Sequence, residues 1–381
     1  AQLNLMFNYL AAQRKKDKCP KFNLNNPEEV PYVTIQLPVF NELYVMDRLL
    51  DNIALIDYPK DKLEIQVLDD STDETVITTK AHVDKLAATG LDIKHITRTN
   101  RQGFKAGALK EGLEVAKGEF IAIFDADFLP DHDWLQKTIP YFKNDKCCFV
   151  QTRWSHINRD YSTLTKIQAF ALDAHFTLEQ VGRNSKGHFI NFNGTAGVWR
   201  KECIIDAGNW EGDTLTEDLD LSYRAQLKNW EFKYLEDVET PAELPVVISA
   251  ARSQQFRWNK GGAENFRKML LTLNDDVRVI IIKIADRLHN MQTMDSMRPD
   301  KQEKIASETL YIYAPLAHRI GLYNIKTELE DLGLKYTEPE VYNDILTKMK
   351  ESKEEQDAYI HEFSDLLKKS LDKEGLNYII K

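Results

Sequence analysis

Between residues 32 and 154, short apolar runs alternate with stretches whose apolar positions recur every three or four residues. The runs at 33–37, 63–68, 91–97 and 120–124 are rich in β-branched and aromatic residues and bounded by turn formers, which predicts buried strands. Helical spacing falls at 43–56, 75–88 and 106–116. Strand–helix alternation with short connections predicts an α/β domain, a mostly parallel sheet with helices on both faces. Beyond Trp154 the pattern turns helical. Leu164, Ile167, Phe170, Ala174, Leu178 and Val181 recur at three- and four-residue steps. Packing beneath the sheet domain is expected of this stretch, and lining a membrane surface is the other reading.

A second regime begins near Leu271. DVRVIIIKIADRLHNM reads as a helix buried nearly all round, and only helical patterns follow, at 299–314, 323–332, 339–350 and 353–371. This divides the chain into an opening segment at 1–29, an α/β domain at 30–270 and an all-α segment at 271–381.

Composition narrows the function classes. A chain of 381 residues with 43% hydrophobic content can build two or three cores. A net charge of −10 gives no electrostatic footprint for nucleic acid. The cysteines, Cys19, Cys147, Cys148 and Cys203, show neither metal-ligand nor disulfide-framework spacing, which predicts reduced thiols facing a cytoplasm-like environment. No apolar run approaches the roughly 20 residues that span a bilayer, and no signal peptide is read. The opening AQLNLMFNYLAAQRKKDK runs from apolar residues into Arg14, Lys15, Lys16 and Lys18. It reads either as the cytoplasmic end of a membrane helix or as an ordinary amphipathic helix.

The chemistry concentrates at predicted strand ends. Asp125 and Asp127 directly follow the apolar run 120–124. Two carboxylates ending a buried strand carry a desolvation cost unless a cation is present, and Mg²⁺ is held by one or two carboxylates plus substrate phosphates. The pair predicts a metal-bound diphosphate at the carboxyl edge of the sheet, where open α/β sheets place ligands. Glu42, in Pro38-Val39-Phe40-Asn41-Glu42, and Asp69-Asp70-Ser71-Thr72-Asp73 end the first two strands and converge on the same crevice. A carboxylate there can accept from a base N–H or a ribose hydroxyl, while Ser71 or Asp73 can equally be a helix cap. Arg98, Arg101, Gly103 and Lys105 precede a helix and suit a phosphate-facing loop. Thr216-Glu217-Asp218 opens a helix, where Asp218 is either a cap favoured by the helix dipole or a general base for an acceptor hydroxyl. Gln254, Arg257 and Trp258 set an indole beside a guanidinium, which suits a sugar ring beside a phosphate.

In order and spacing these clusters resemble the processive family-2 glycosyltransferases over about residues 31–268. Gln254, Arg257 and Trp258 match the QxxRW signature, Thr216, Glu217 and Asp218 the TED motif, and Asp125 and Asp127 the DxD motif. FNGTAGVWR at 192–200, with TEDLDLSYRA, looks closest to the mannan- and glucan-synthase-like branch, whereas cellulose synthases usually carry Cys where Asn193 stands. The resemblance implies a GT-A fold and inverting transfer from a nucleotide sugar, UDP-glucose or GDP-mannose, to a growing β-glycan. It implies donor binding by Glu42, Asp69, Asp70, Lys105, Asp125, Gln254 and Arg257, and Mg²⁺ or Mn²⁺ on Asp125 and Asp127. Catalysis would fall to Asp218 with Glu217, and acceptor binding to Asn193, Gly194, Thr195 and Trp258. The implied setting is the cytoplasmic face of the inner membrane, reached through flanking helices.

The sequence after Leu271, with ADRLHN at 285–290, resembles the second half of the hydrolase domain of the RelA/SpoT alarmone enzymes. That resemblance implies a manganese ligand at Asp286 and a pocket residue at Asn290. The family's His-Asp pair belongs to an earlier segment. A catalytically silent helical remnant is therefore expected, with Asp286 paired to Arg287 or Arg319 and with His289 and His318 packed or capping. A (p)ppGpp-binding module is the alternative.

Overall fold

The computed structural model describes residues 2–14, 30–272 and 277–349, together with 364, 365, 368 and 371. They divide into two compact units, Ala1–Asn265 and Phe266–Lys381.

The first unit opens with helix α1 (Gln2–Gln13) and then alternates. Strand β1 (Val33–Val39) leads to α2 (Met46–Ala54), β2 (Leu63–Asp69) to α3 (Thr75–Ala87), β3 (Asp92–Thr97) to α4 (Phe104–Val115), and β4 (Phe120–Ile123) to the short α5 (Trp134–Thr138). Next come β5 (Cys147–His156), α6 (Thr163–Ala174), a π-helical turn (His175–Gln180), α7 (Val181–Asn184), β6 (Gly197–Arg200) and α8 (Lys201–Asp206). Helix α9 (Glu217–Leu227), β7 (Glu231–Ala242) and α10 (Ile248–Thr272) follow. Among the described residues seven strands form one sheet in the order β3-β2-β1-β4-β6-β5-β7. Its strands run parallel except β6, which is antiparallel to both neighbours. The carboxyl ends of β1, β2 and β4 therefore lie along one edge.

Apolar cores cover both faces, so the strands read as continuous apolar runs. Along β4, Phe120 and Ala122 enter one core and Ile121 and Ile123 the other, because successive side chains point to opposite faces. Polar residues that share this period are bonded in pairs, Thr34 Oγ1 to Glu64 at 2.8 Å and Gln36 Nε2 to Gln66 at 3.0 Å. The second core holds an aromatic cluster in which Trp199 meets Phe149, Phe192, Phe232 and Trp210 at centroid distances of 4.6–5.9 Å.

Several expectations need correction. The sequence pattern gave no strand after residue 124, yet β5, β6 and β7 exist. The 164–181 row packs only in part: Val181 lies against the second core, Ile167, Phe170 and Leu178 are exposed, and Thr165, Ala169 and Phe176 are the buried positions. Nor are all the cysteines reduced. Cys148 and Cys203 form a disulfide between β5 and α8, with Cα atoms 5.6 Å apart. The strand period explains why its neighbour is left out. Cys147 points into the opposite core, where burial pushes its thiol up to about 12. No helix among the described residues is long and apolar enough to cross a membrane, and the basic residues 15–18 lie outside the described part.

The second unit is helical: α11 (Val277–Gln292), α12 (Pro299–Glu308), a π turn (Thr309–Tyr313), α13 (Ala314–Arg319) and α14 (Tyr323–Thr337), with helix again at 339–349. Helix α11 is not buried all round. Ile280, Ile284 and Met291 enter a small core, while Ile281 and Ile282 are exposed. The helix expected at 353–371 lies almost wholly outside the described residues.

Candidate functional site

The loops after β1, β2 and β4 gather the predicted acidic groups. Asn41, in a left-handed conformation (φ 57°), donates from its backbone to Ser71 Oγ at 2.8 Å and accepts at Oδ1 from Thr72 N–H at 2.9 Å. These bonds tie the first two strand ends together. Asp73 accepts from Thr75 N–H at 3.0 Å, so it caps the start of α3.

The doubled Asp69-Asp70 is held from within. Asp69 Oδ2 lies 2.8 Å from His95 Nε2, and Oδ1 accepts from Ser71 N–H at 2.9 Å. Burial pushes the Asp69 carboxyl up, but the bonds from His95 and Ser71 outweigh it and leave the pKa below the ordinary value. Asp70 takes both ends of the Arg98 guanidinium, with Nε at 2.8 Å from Oδ1 and Nη2 on Oδ2. Arg98 also donates to the carbonyls of Gln102 at 3.1 Å and Phe104 at 2.9 Å, so it braces the 98–105 loop from within, and Arg101 lies over the ring of Phe40 at 3.4 Å.

Lys105, in the first turn of α4, reaches the centre. Its Nζ lies 2.5 Å from Asp125 Oδ1 and 2.9 Å from the Gly194 carbonyl. Burial works against its charge, yet Asp125, Glu217 and Asp218 hold the amine above its usual range. Asp127 is pushed up to about 7, first by burial and then by Asp125, with Glu42 adding to the effect and Lys105 opposing it. Burial and Asp125 likewise raise Glu42. Glu42, Asp125 and Asp127 are thus a hard-oxygen set that could hold a divalent cation. A tighter trio that sequence reading missed is Glu211, Asp213 and Asp220. Its Asp220 is paired to Arg224 at 2.7 Å.

Glu217 and Asp218 open α9, with Thr216 at the cap position making no side-chain cap bond. Burial, then Glu217, raises the Asp218 pKa, and burial raises that of Glu217. Between Lys105 and Asp218 runs the turn Asn193-Gly194-Thr195. Gly194 has φ 81°, a conformation that favours glycine, and a Cβ on it would stand a tight 3.2 Å from Asp218 Oδ2. Thr195 Oγ1 accepts from Asp125 N–H at 2.8 Å. The turn thus touches both acidic motifs. Gln151 supports it from β5, accepting from Asn193 N–H at 3.1 Å and donating to the Thr195 and Ala196 carbonyls. Gln151 escaped notice because β5 did. A buried glutamine in an unrecognised strand leaves no period to read.

Gln254, Arg257 and Trp258 lie on α10. Gln254 and Trp258 are half-buried and Arg257 is exposed. Trp258 meets Trp154 of β5 at 6.4 Å, and Trp154 in turn meets Phe128 at 5.1 Å, one residue past Asp127.

The second unit shows another arrangement. Asp286 is exposed and accepts from Asn290 at 3.3 Å, while Arg287 pairs with Glu308 at 3.3 Å and lies over Tyr313. The expected Asp286–Arg287 pair is not formed, because Arg287 is turned to α12. His289 and His318 are exposed in the last turns of α11 and α13, where a cation suits the helix dipole.

Two families match the chain: one described as Glycosyltransferase like family 2 over residues 31–261, and one described as HD domain over residues 233–323. The chain is 42% identical over 285 residues to glucomannan 4-beta-mannosyltransferase 1 of Oryza sativa subsp. japonica, covering 72% of this chain and 55% of the relative. It is 43% identical over 271 residues to glucomannan 4-beta-mannosyltransferase 2 of Arabidopsis thaliana, covering 68% and 51%. The chain therefore spans about half the length of these relatives. Among solved structures, the mannosyltransferase PcManGT of Pyrobaculum calidifontis, in complex with GDP-Man and Mn2+, superposes with a TM-score of 0.55 at 22% identity, covering 88% of this chain and 95% of that one. The likeness is one of fold, a GT-A-like mixed sheet. The match to the helical part is to HD domains broadly and not to the RelA/SpoT enzymes in particular.

Proposed function

Because the chain belongs to the family described as Glycosyltransferase like family 2, we propose that its cleft transfers a sugar from a nucleoside-diphosphate sugar to a hydroxyl of a growing β-glycan, with inversion. The observation that carries this reading is the position of Lys105. One half-buried amine bonds Asp125 and also faces Glu217 and Asp218, so the diphosphate end and the proton-accepting end of a transfer reaction meet at one point.

Asp218 is the general base. It is half-buried, its pKa is raised toward neutrality, and it sits beside the Gly194 turn. A carboxylate with its pKa raised to about 7 is a stronger base than an ordinary one and is still substantially ionised near neutral pH, so it can take the proton of an attacking hydroxyl. Glu217 adds negative charge beside it and stiffens that tuning. The acceptor sugar packs on Trp258 and against Asn193, Gly194 and Thr195. Glu42, Asp69, Asp70, Lys105, Asp125, Gln254 and Arg257 form the donor end. There the sealed Asp69–His95 and Asp70–Arg98 pairs fix the loop on which the nucleotide rests.

The residues fit a divalent cation. Asp127 is pushed up to about 7, first by burial and then by the negative charge of Asp125, which Lys105 only partly offsets, and the donors are hard carboxylate oxygens. Asp127 with Asp125 would hold Mg²⁺ or Mn²⁺, and the ion when bound supplies charge neutralisation for the departing diphosphate.

The names of the relatives support mannose as the sugar and a glucomannan-type acceptor, with GDP-mannose as donor. The exposed row Ile167, Phe170 and Leu178 supports a place against a membrane surface. A donor screen with GDP-mannose, UDP-glucose and UDP-N-acetylglucosamine tests the reading, run on the full chain with Mn²⁺ and β-linked oligosaccharide acceptors. GDP-mannose is expected to extend the acceptor. Absence of transfer from all three donors overturns the proposal.

A further inference from the structure

The π-helical turn His175–Gln180 fixes a proton position. Gln180 Nε2 donates to the Asn191 carbonyl at 3.2 Å, an oxygen that can only accept. This orients the Gln180 amide, and the same nitrogen donates to Asn193 Oδ1 at 2.9 Å. Asn193 must then present its NH₂ to His175 Nε2, 3.2 Å away. An amide nitrogen only donates, so His175 Nε2 must carry a lone pair. The ring proton lies on Nδ1, 2.9 Å from Glu179 Oε2, which accepts it. A single neutral tautomer satisfies every bond in the chain from Glu179 through His175 and Asn193 to Gln180.

The wider turn makes this possible. In an α-helix residues four apart lie on one face. The π turn brings Gln180, five residues on, to the same group as His175 and Glu179. Turns of this kind occur frequently at functional sites. What the chain of bonds holds is the start of the Asn193-Gly194-Thr195 turn, whose Gly194 carbonyl receives Lys105 and whose Cα lies against Asp218.

We propose that His175 is a positioning residue for the transfer reaction: as the Nδ1–H tautomer oriented by Glu179, it holds Asn193 and so sets the turn between Lys105 and Asp218. This rests on the function proposed above, but its first test does not require activity.

The full chain with ¹⁵N-labelled histidine, near pH 7.5, should give a ring spectrum in which the His175 signal, assigned by its loss in His175→Gln, has Nε2 unprotonated and Nδ1 protonated. An Nε2–H tautomer or an imidazolium overturns the proposal. The Asn193 side-chain amide signal should move in His175→Phe and return toward its wild-type position in His175→Gln, whose Oε1 can accept from Asn193. An unmoved signal in His175→Phe also overturns it. In transfer assays His175→Phe should raise the acceptor KM or lower kcat by about 10- to 100-fold, the scale of a misplaced reacting group. Metal-dependent nucleotide affinity should stay within about two-fold, and His175→Gln should recover most of the loss. Equal transfer by His175→Phe and wild type sinks the positioning role. A wild-type chain that transfers nothing overturns the proposed function instead, and the two spectra then decide the place of His175.

Discussion

Lys105 Nζ stands 2.5 Å from Asp125 Oδ1 and 2.9 Å from the carbonyl of Gly194, and Gly194 lies against Asp218. A cation on the first turn of one helix thereby joins a strand end to the N-terminus of another helix. Asp127 is left only partly compensated, with burial and Asp125 outweighing Lys105.

Replacing Asp127 by Ala should therefore abolish any metal-dependent gain in nucleoside diphosphate affinity. Calorimetry with GDP and UDP, with and without Mn²⁺, measures it. Affinity that ignores the metal in the wild-type chain, or a metal effect that survives in Asp127→Ala, refutes the assignment.

Asp218→Asn separates a base from a cap. Asp218 lies in the first turn, past the cap position at Thr216, so its structural worth is that of a charge at a helix N-terminus, about 0.3–1 kcal/mol, and a neutral amide relieves the burial that raises the Asp218 carboxyl. The melting temperature should hold or rise, while transfer falls by about 10²- to 10⁴-fold. Activity within a few-fold of wild type would assign Asp218 to capping alone.

His156 gives a pH dependence of stability. Burial pushes its pKa below the ordinary value of 6.5, with Asp173 opposing and Arg159 and Arg153 reinforcing the shift; Glu239 also opposes it. The unfolded chain therefore binds this proton more readily than the folded one. Its contribution is fully present above about pH 6.5 and is lost as pH falls toward the folded value. The melting temperature should drop between about pH 7.5 and 5.5, and His156→Phe should flatten that drop. Parallel curves for the two proteins would exclude His156 as the cause.

Thiol titration under denaturing, non-reducing conditions tests the Cys148–Cys203 bond. With that bond, two of the four cysteines react. Four reactive thiols would mean the chain is held reduced, as a cytoplasm-facing protein is expected to be.

In the second unit Asp286 is exposed and accepts from Asn290, and among the described residues no trio of metal-ligand groups forms around it. Incubation with ppGpp and Mn²⁺ should release no pyrophosphate above a no-protein control. Steady release that disappears in Asp286→Ala would reverse this expectation.

The local pattern alone determined the α/β alternation up to residue 124, because a sheet covered on both faces turns its strands into apolar runs that stand out from helical spacing. It also determined the acidic motifs, since carboxylates placed directly after such runs have few structural reasons to be there. The tertiary structure decided what each of them meets. The sequence could not tell that Asp69 would be sealed by His95, or Asp70 clasped by Arg98. Those partners are 26 and 28 residues away and meet only when β2 and β3 pair. Strand β5 stayed hidden because the polar residues Gln151, Thr152 and Arg153 interrupt its apolar period; Gln151 and Thr152 are satisfied by bonds across the sheet and Arg153 by Asp173 of α6, partners that no local window contains. The direction of the 164–181 row was undecided for a related reason: helical spacing defines an apolar face but not what that face will meet.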